Sequence, residues 1–416
     1  MRIYVFAEHF PNTYKPYYDA QLADWIDEGH ELRVFAFGKF DRTRNATVDE
    51  LALDRKTTYC PSTLRSLPSS APGLLAELAS RPGTIGRAIH ATWHGDLPAK
   101  LRLLDAARSV RLPDESPDLC LIHNLVTAQS FGFLERVYPS ARVALYFHGG
   151  EIPEGGTIVP GLARRAFERA HIVFTNTGYS SAEASARGCP PGKIVICPVG
   201  FRVGEYRPAV RKRYREDGLL RLLTVGRLGV EKGLGHALDA ARALLDRGVK
   251  NFRLRMIGDG PQRAALEARV LREGLGRHVR LVGELPHHAL HAEYRAADAL
   301  LLPSIATPRW EENQGCVMQE AMLMKLAVVS TRTGGVQESL APELRRFSVE
   351  PEDGAAIAKR IEELLALDEE ELRRLGAGAR EFAAARYDVR ALNRRLVDEV
   401  LSRRRGPASA PDAVPA

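Results

Sequence analysis

Residues 308–340 read PRWEENQGCVMQEAMLMKLAVVSTRTGGVQESL, and the change of period inside this stretch decides the fold class. From Gln314 to Lys325, Gly315, Val317, Met318, Ala321, Met322 and Met324 recur at helical rather than alternating spacing, while Leu326 to Thr331 is a β-rich run of strand length. A helix that feeds a buried strand is half of a βαβ unit. Two carboxylates mark it, Glu312 at the helix mouth and Glu320 about two turns in.

A helix N-terminus carries unpaired N–H groups and a partial positive charge, so small Gly315 there leaves backbone open to an anion such as a phosphate. Glu320 shares a face with Cys316, Val317 and Met324, which sets a charge among apolar neighbours and creates a demand for hydrogen-bond donors. Ribose or sugar hydroxyls would meet it. Two glutamates eight apart carry little weight alone, so the surrounding chain has to supply the context.

Working outward, strands are expected near Leu219–Val225, Phe252–Ile257, Val279–Val282 and Ala299–Leu302, with helices between them and amphipathic helices from Gly354 to about Arg404. Upstream lies a second series. Strands are expected over Arg2–Ala7, Leu32–Phe37, Leu119–His123, Arg142–His148, Ile172–Asn176 and Ile194–Cys197. Helices are expected over Tyr18–Glu28, Gln129–Val137, Leu162–Ala170 and Ser181–Arg187. The region from Lys39 to about Pro117 has a weaker pattern, with helices near Ile85–Trp93 and Ala99–Val110. The charged stretch RVGEYRPAVRKRYREDG after Phe201 reads as a linker. Strands alternating with helices imply an α/β fold with two doubly wound, Rossmann-like domains facing a cleft. Their expected bounds are 1–203 and 204–385. A terminal helix at 386–405 is placed back against the first domain, and 406–416, rich in Pro and Ala, is expected to be disordered.

Chemistry is expected where loops leave strand ends. After Val225 comes GRLGVEKGLG, where Gly226, Gly229, Gly233 and Gly235 punctuate a loop that carries Arg227 and Lys232. A planar guanidinium and a mobile ammonium together can neutralise a diphosphate. The pattern is neither G-x-G-x-x-G nor a P-loop. In the first half, strand Arg142–Phe147 delivers His148-Gly149-Gly150-Glu151, in which glycines allow close backbone approach and a neutral imidazole can bond a sugar; His123 ends the neighbouring strand in the same way. No Asp-x-Asp occurs, so no metal-binding residue is assigned and cations plus helix ends are left to hold any diphosphate.

Composition bounds the rest. The 416 residues exceed one ordinary core, and 45% hydrophobic with 27% charged residues is the make-up of a soluble globular protein. A net charge of +7 favours anionic partners: sugar nucleotides, phospholipid surfaces or nucleic acid. Nucleic acid is set aside because basic residues are scattered among acids without interleaved aromatics. Five cysteines without Cys-x-x-Cys fit reduced thiols in a cytoplasm, and no signal peptide or long apolar run is visible. The expected location is cytoplasmic. A peripheral seat on the inner face of the cell membrane is motivated by the basic, aromatic-containing stretches Tyr206–Arg215 and Arg164–Arg169.

Taken in order, Gly29-His30, His148-Gly149, Gly226-Arg227 with Glu231-Lys232-Gly233, Gly258-Asp259-Gly260-Pro261, and Glu312 through Glu320-Ala321-Met322 resemble the retaining glycosyltransferases of the GT-B fold with a Glu, seven residues, Glu signature (glycosyltransferase family 4, glycosyl transferases group 1). The resemblance spans nearly the whole chain. It leans toward exopolysaccharide-type branches, because FPNTYKPYYDAQLADWI replaces the usual Gly-Gly loop after the first strand. It implies that Arg227 and Lys232 grip the donor diphosphate, that Glu320 bonds the ribose, and that Glu312 meets donor sugar hydroxyls. Backbone around Gln314, Gly315, Cys316 and Val317 would help, with Gly226 beside the donor. His148 would line the same sugar from the other domain, with Gly149, Glu151 and His123 on the acceptor or sugar side. The implied reaction retains anomeric configuration and needs no metal or cofactor; the nucleotide-sugar is a substrate, and the acceptor is a glycan, a lipid-linked sugar or a small molecule. Another sugar-nucleotide enzyme on the same plan, an epimerase or phosphorylase, is the alternative, followed by a non-catalytic nucleotide-sugar-binding protein.

Overall fold

Two sets of apolar strands build two parallel sheets, and the sheets position everything else. The computed structural model describes residues 1–12, 15–40, 46–66, 72, 75–76, 79, 99–149, 160–209, 214, 217–308 and 310–403. The helix expected near Ile85–Trp93, the candidate Glu151 and the terminal tail lie outside these residues.

The first sheet contains β1 (Arg2–Asn12), β2 (Glu31–Phe40), β3 (Thr57–Tyr59), β4 (Leu119–His123), β5 (Arg142–Phe147), β6 (Ile172–Thr175) and β7 (Ile194–Ile196), in the order β3-β2-β1-β4-β5-β6-β7. The second contains β8 (Leu220–Val225), β9 (Phe252–Ile257), β10 (Val279–Gly283), β11 (Ala299–Leu302), β12 (Ala327–Thr331) and β13 (Ser348–Val349), in the order β10-β9-β8-β11-β12-β13. Every paired strand is parallel. The central strands β4, β11 and β12 are buried along their whole length, as strands covered by helices on both faces must be. Strand order reverses beside β1 in the first sheet and beside β8 in the second, and ligands of such sheets sit at the carboxyl ends at that reversal.

Three differences from expectation have physical causes. β1 continues past Ala7 to Asn12, because His9 and Asn12 still pair with Gly38 and Phe40 of β2. The helix expected over Gln129–Val137 is two short helices, Leu125–Ser130 and Leu134–Val137. Asn124 starts the first one early by accepting from the Thr127 N–H, and the buried rings of Phe131 and Phe133 fill the break. Two aromatic residues of the charged linker are also less exposed than its composition implies. Tyr206 and Tyr214 are buried, so neither ring is available to anchor on a lipid surface. Arg164 pairs with Glu168 and Arg169 with Glu135, which reduces the basic face of helix Pro160–Arg169. Among the described residues no helix is long and apolar enough to cross a membrane.

The chain crosses between the sheets more than once. The last helix, Val389–Ser402, places Leu396 and Val400 in the same apolar cluster as Leu22 and Trp25 of the first domain.

Candidate active site

The cleft between the domains is built from strand ends. β8 ends at Val225, and its loop carries Gly226, Arg227 and Lys232 to Gly233, which adopts φ +59° where an added Cβ would collide with the Pro303 carbonyl. Only glycine fits that approach. Lys232 Nζ lies 2.7 Å from Glu312 Oε2 and over the Trp310 ring, 4.5 Å from its centroid, and Ser304 Oγ donates to the same Glu312 oxygen at 2.9 Å. Arg227 donates to Glu231 at 2.8 Å. Each expected diphosphate cation therefore has a carboxylate beside it, and an incoming anion would share or displace that partner. Gly315, at φ +67°, precedes helix Cys316–Leu323; the Met318 N–H donates to the Gly315 carbonyl at 2.8 Å, and the Cys316 and Val317 N–H groups lie ahead of the first intrahelical bond. Gly226, Arg227, Lys232, Glu312, Gln314 and Gly315 line one cleft, together with Cys316, Val317 and Glu320.

Glu320 differs from expectation. It stands little more than one turn into the helix, which begins at Cys316 rather than Gln314. Its carboxylate accepts from Tyr206 Oη at 3.0 Å, His287 Nε2 at 2.8 Å and Tyr294 Oη at 2.7 Å. The donors that burial demands are thus largely protein groups rather than ligand hydroxyls. Burial pushes the Glu320 carboxyl up, but the bonds and charge from His287 and the two tyrosines outweigh it and hold the group below its ordinary value. Burial likewise opposes charge on His287, and the Glu320 hydrogen bond and charge reverse that, leaving the imidazole above its ordinary value.

On the opposite wall, β5 delivers His148 and Gly149 to the cleft. His148 Nε2 lies 3.1 Å from His123 Nδ1 and its Nδ1 lies 3.3 Å from Asn176 Oδ1, while the His123 and His148 rings stack at 5.4 Å. Burial, with Lys15 nearby, lowers His148 to about 3, so the imidazole is neutral. His123 is 1% exposed and does not line the cleft, so it reaches a ligand only through His148. Glu151 falls outside the described residues.

The walls are joined by Asn313 and Glu338, which the sequence reading did not single out, and by Gln314, which it did. Asn313 donates to the His148 carbonyl and accepts from Thr177 Oγ1. Glu338 accepts from the Gly178 and Tyr179 N–H groups at 2.6 and 2.9 Å, at the start of helix Gly178–Ala186. Gln314 makes paired bonds to the N–H and carbonyl of Val199, which engages its side chain with the first domain. Glu311 accepts from the Gly334 N–H at 3.0 Å, a bond within the second domain. Trp310, Tyr17 and His287 also line the cleft. The cluster EENQG around Asn313 was a local signal for its position. His287 and Tyr17 had none, since their partners lie far away in sequence.

Comparison with known proteins agrees with this architecture. The family model described as glycosyl transferases group 1 matches residues 207–382. The putative colanic acid biosynthesis glycosyltransferase WcaL of Salmonella typhimurium is 27% identical, over 95% of this chain and 98% of its own. The amylovoran biosynthesis glycosyltransferase AmsK of Erwinia amylovora is 26% identical, over 86% and 89%. Among solved structures, Anabaena HepE in complex with UDP superposes with a TM-score of 0.70 at 16% identity, covering 96% of this chain and 99% of that one. The architecture is therefore the GT-B fold. Residues 207–382, which hold Arg227, Lys232, Glu312 and Glu320, are thus similar to the glycosyl transferases group 1, and the chain over most of its length is similar to glycosyltransferases of polysaccharide biosynthesis.

Proposed function

We propose that this protein transfers a sugar from a nucleoside diphosphate sugar to an acceptor hydroxyl, with retention of anomeric configuration and without a metal, in the assembly of a polysaccharide. One observation carries the reading: Arg227, Lys232, Glu312 and the start of helix Cys316–Leu323 line one wall of a cleft whose other wall presents neutral His148. The names of WcaL and AmsK support the polysaccharide setting, and the UDP in HepE supports a nucleotide donor. The base is not carried over at 16% identity.

In this reaction the bond between the anomeric carbon and the diphosphate oxygen breaks while the acceptor oxygen bonds to the same face. The acceptor proton passes to the leaving phosphate. Negative charge grows on the diphosphate, where Arg227, Lys232 and the helix N–H groups stabilise it more in the transition state than in the ground state. Glu312, fixed by Lys232 and Ser304, accepts from donor sugar hydroxyls. Retention is read from the anomeric coupling of the product.

Lys232→Ala is expected to lower kcat as well as raise donor KM while the protein stays folded, with Arg227→Ala acting in the same direction. A lost charge-assisted bond at a buried reacting centre costs roughly 10²–10³ in kcat. Turnover is expected to survive a strong chelator. Unchanged kinetics in both variants would remove the phosphate assignment, and chelator-sensitive activity restored by magnesium or manganese would remove metal independence.

A further inference from the structure

The ends of β8, β9 and β10 are tied side by side at the second-domain wall: the Gly226 N–H donates to the Ile257 carbonyl at 3.0 Å and the Gly258 N–H to the Gly283 carbonyl at 2.9 Å. Beyond them the cleft lining turns apolar, with Val225, Ile257, Leu285 and Leu290. Flat apolar walls at the carboxyl ends of a doubly wound sheet suit a planar base. From the loop after β8, which holds Arg227, to the loop after β10 is two strand spacings, about 10 Å. That is the reach from a diphosphate to the far edge of its base.

Glu284 stands in the loop after β10 and lines the cleft there. Its Oε1 is buried without a hydrogen-bond partner, and no ion pair to it exists among the described residues. A buried carboxylate oxygen left unsatisfied is costly unless a ligand or water supplies a donor. The bases differ in what they offer. Guanine presents N1–H and N2–H₂ side by side, two donors in one plane that match the two oxygens of a carboxylate. Uracil offers N3–H between two carbonyl oxygens, so the second carboxylate oxygen would meet an acceptor. Adenine sets its N6 amine beside the N1 acceptor and has the same defect.

We infer that Glu284 makes this end of the cleft a guanine-selecting subsite, its carboxylate accepting from N1–H and N2–H₂ of a guanosine diphosphate sugar. The inference rests on the donor-cleft reading above and names the nucleotide it takes.

The test is calorimetric titration of the full chain and of Glu284→Gln with GDP, inosine diphosphate, UDP and ADP. The parent should bind GDP about tenfold or more tighter than UDP or ADP, the discrimination of one bidentate base contact. Inosine diphosphate, which lacks the N2 amine, should fall between. In Glu284→Gln the four affinities should converge, because the amide nitrogen opposes one of the two guanine donors, while Lys232→Ala should weaken all four and keep their order. Tighter binding of UDP or ADP than of GDP overturns the guanine assignment and leaves the donor cleft standing. A GDP preference that survives Glu284→Gln overturns the role of Glu284. No binding of any of the four removes the donor-cleft reading itself, and this inference with it.

Discussion

Glu320 shows how far a single residue can be read from its neighbours in sequence. Its helical company of Cys316, Val317 and Met324 marked a carboxylate in apolar surroundings, and the residue is 2% exposed. What the spacing did not reveal was who satisfies it, since Tyr206, His287 and Tyr294 arrive from the linker and from helix His287–Ala296. Had ligand hydroxyls been the main donors, Glu320→Gln would have left the free protein as stable as the parent or more so. With protein donors in place, the substitution should instead cost about 1.5–3 kcal/mol in urea unfolding, the range for bonds to a charged group. An unchanged midpoint would mean that the three bonds contribute nothing. The pair also has a pH signature. His287 is raised above 6.5, so its contribution is complete below that value and is lost as pH rises through its folded pKa. Glu320 is lowered below 4.5, so its contribution is complete above that value and is lost as pH falls through its folded pKa. Between pH 4.5 and 6.5 the pair contributes fully. His287→Gln keeps a neutral donor but cannot titrate, so as pH rises from 6.5 through the folded pKa of His287 the parent should lose stability relative to this variant. Parallel curves would exclude His287 as the group responsible.

At the scale of elements, most strands were legible, the edge strand Ile194–Ile196 among them, but two short edge strands were not. Phe252–Ile257 and Ala299–Leu302 carry enough apolar residues to fix both ends, and they form β9 and β11. Thr57–Tyr59 and Ser348–Val349 are edge strands of three and two residues, and nothing in so short a run separates them from loop. Helix packing carries information that no propensity contains, and the pair Gly376 and Gly378 in helix Glu369–Tyr387 tests it. An exposed helical glycine changed to alanine gains about 1 kcal/mol. At Gly376 the new Cβ would strike the Lys325 carbonyl, which Tyr214 Oη already holds at 2.6 Å, just beyond the helix that bears Glu320. Backbone cannot step aside cheaply, so Gly376→Ala should lose about 1–3 kcal/mol, the usual cost of overpacking. At Gly378 the nearest atom is the mobile end of Glu343 at 2.6 Å. Gly378→Ala should therefore be neutral or stabilising. Thermal midpoints that move the same way in both variants would remove the packing argument.

For the whole molecule, the question is what makes two sheets behave as one body. Alternating strands and helices announced the two domains, but contacts between distant segments have no local period and could only be seen in space. The terminal helix Val389–Ser402 is the firmest of these. Phe201 N–H donates to the Tyr387 carbonyl and Val389 N–H to the Phe201 carbonyl, at 2.8 and 3.0 Å, so the helix starts against the linker. Gly200 allows this closeness, since a Cβ there would lie 2.6 Å from Val389 Cα. Further along, Asn393 accepts from Gln21 Nε2 and donates to the Gln21 carbonyl and to Asp24 Oδ2, at 3.2, 3.1 and 2.8 Å. Asp24 is 3% exposed, and burial raises its carboxyl even against the Asn393 bond. Asn393→Leu would keep the apolar contacts of Leu396 and Val400 and remove the neutral amide that donates to this carboxylate in the helix interface. The loss should be about 1–3 kcal/mol, and at roughly 2–4 °C per kcal/mol for a domain of this size the first domain should melt several degrees earlier. Because the helix is covalently part of the second domain, its release should also split or broaden a calorimetric transition that is single in the parent. Asp24→Asn in the same chain should recover part of the midpoint, since a neutral amide is less costly to leave buried than a carboxylate. A single transition at the parent's temperature in Asn393→Leu would mean that the apolar contacts of this helix alone hold the domains together.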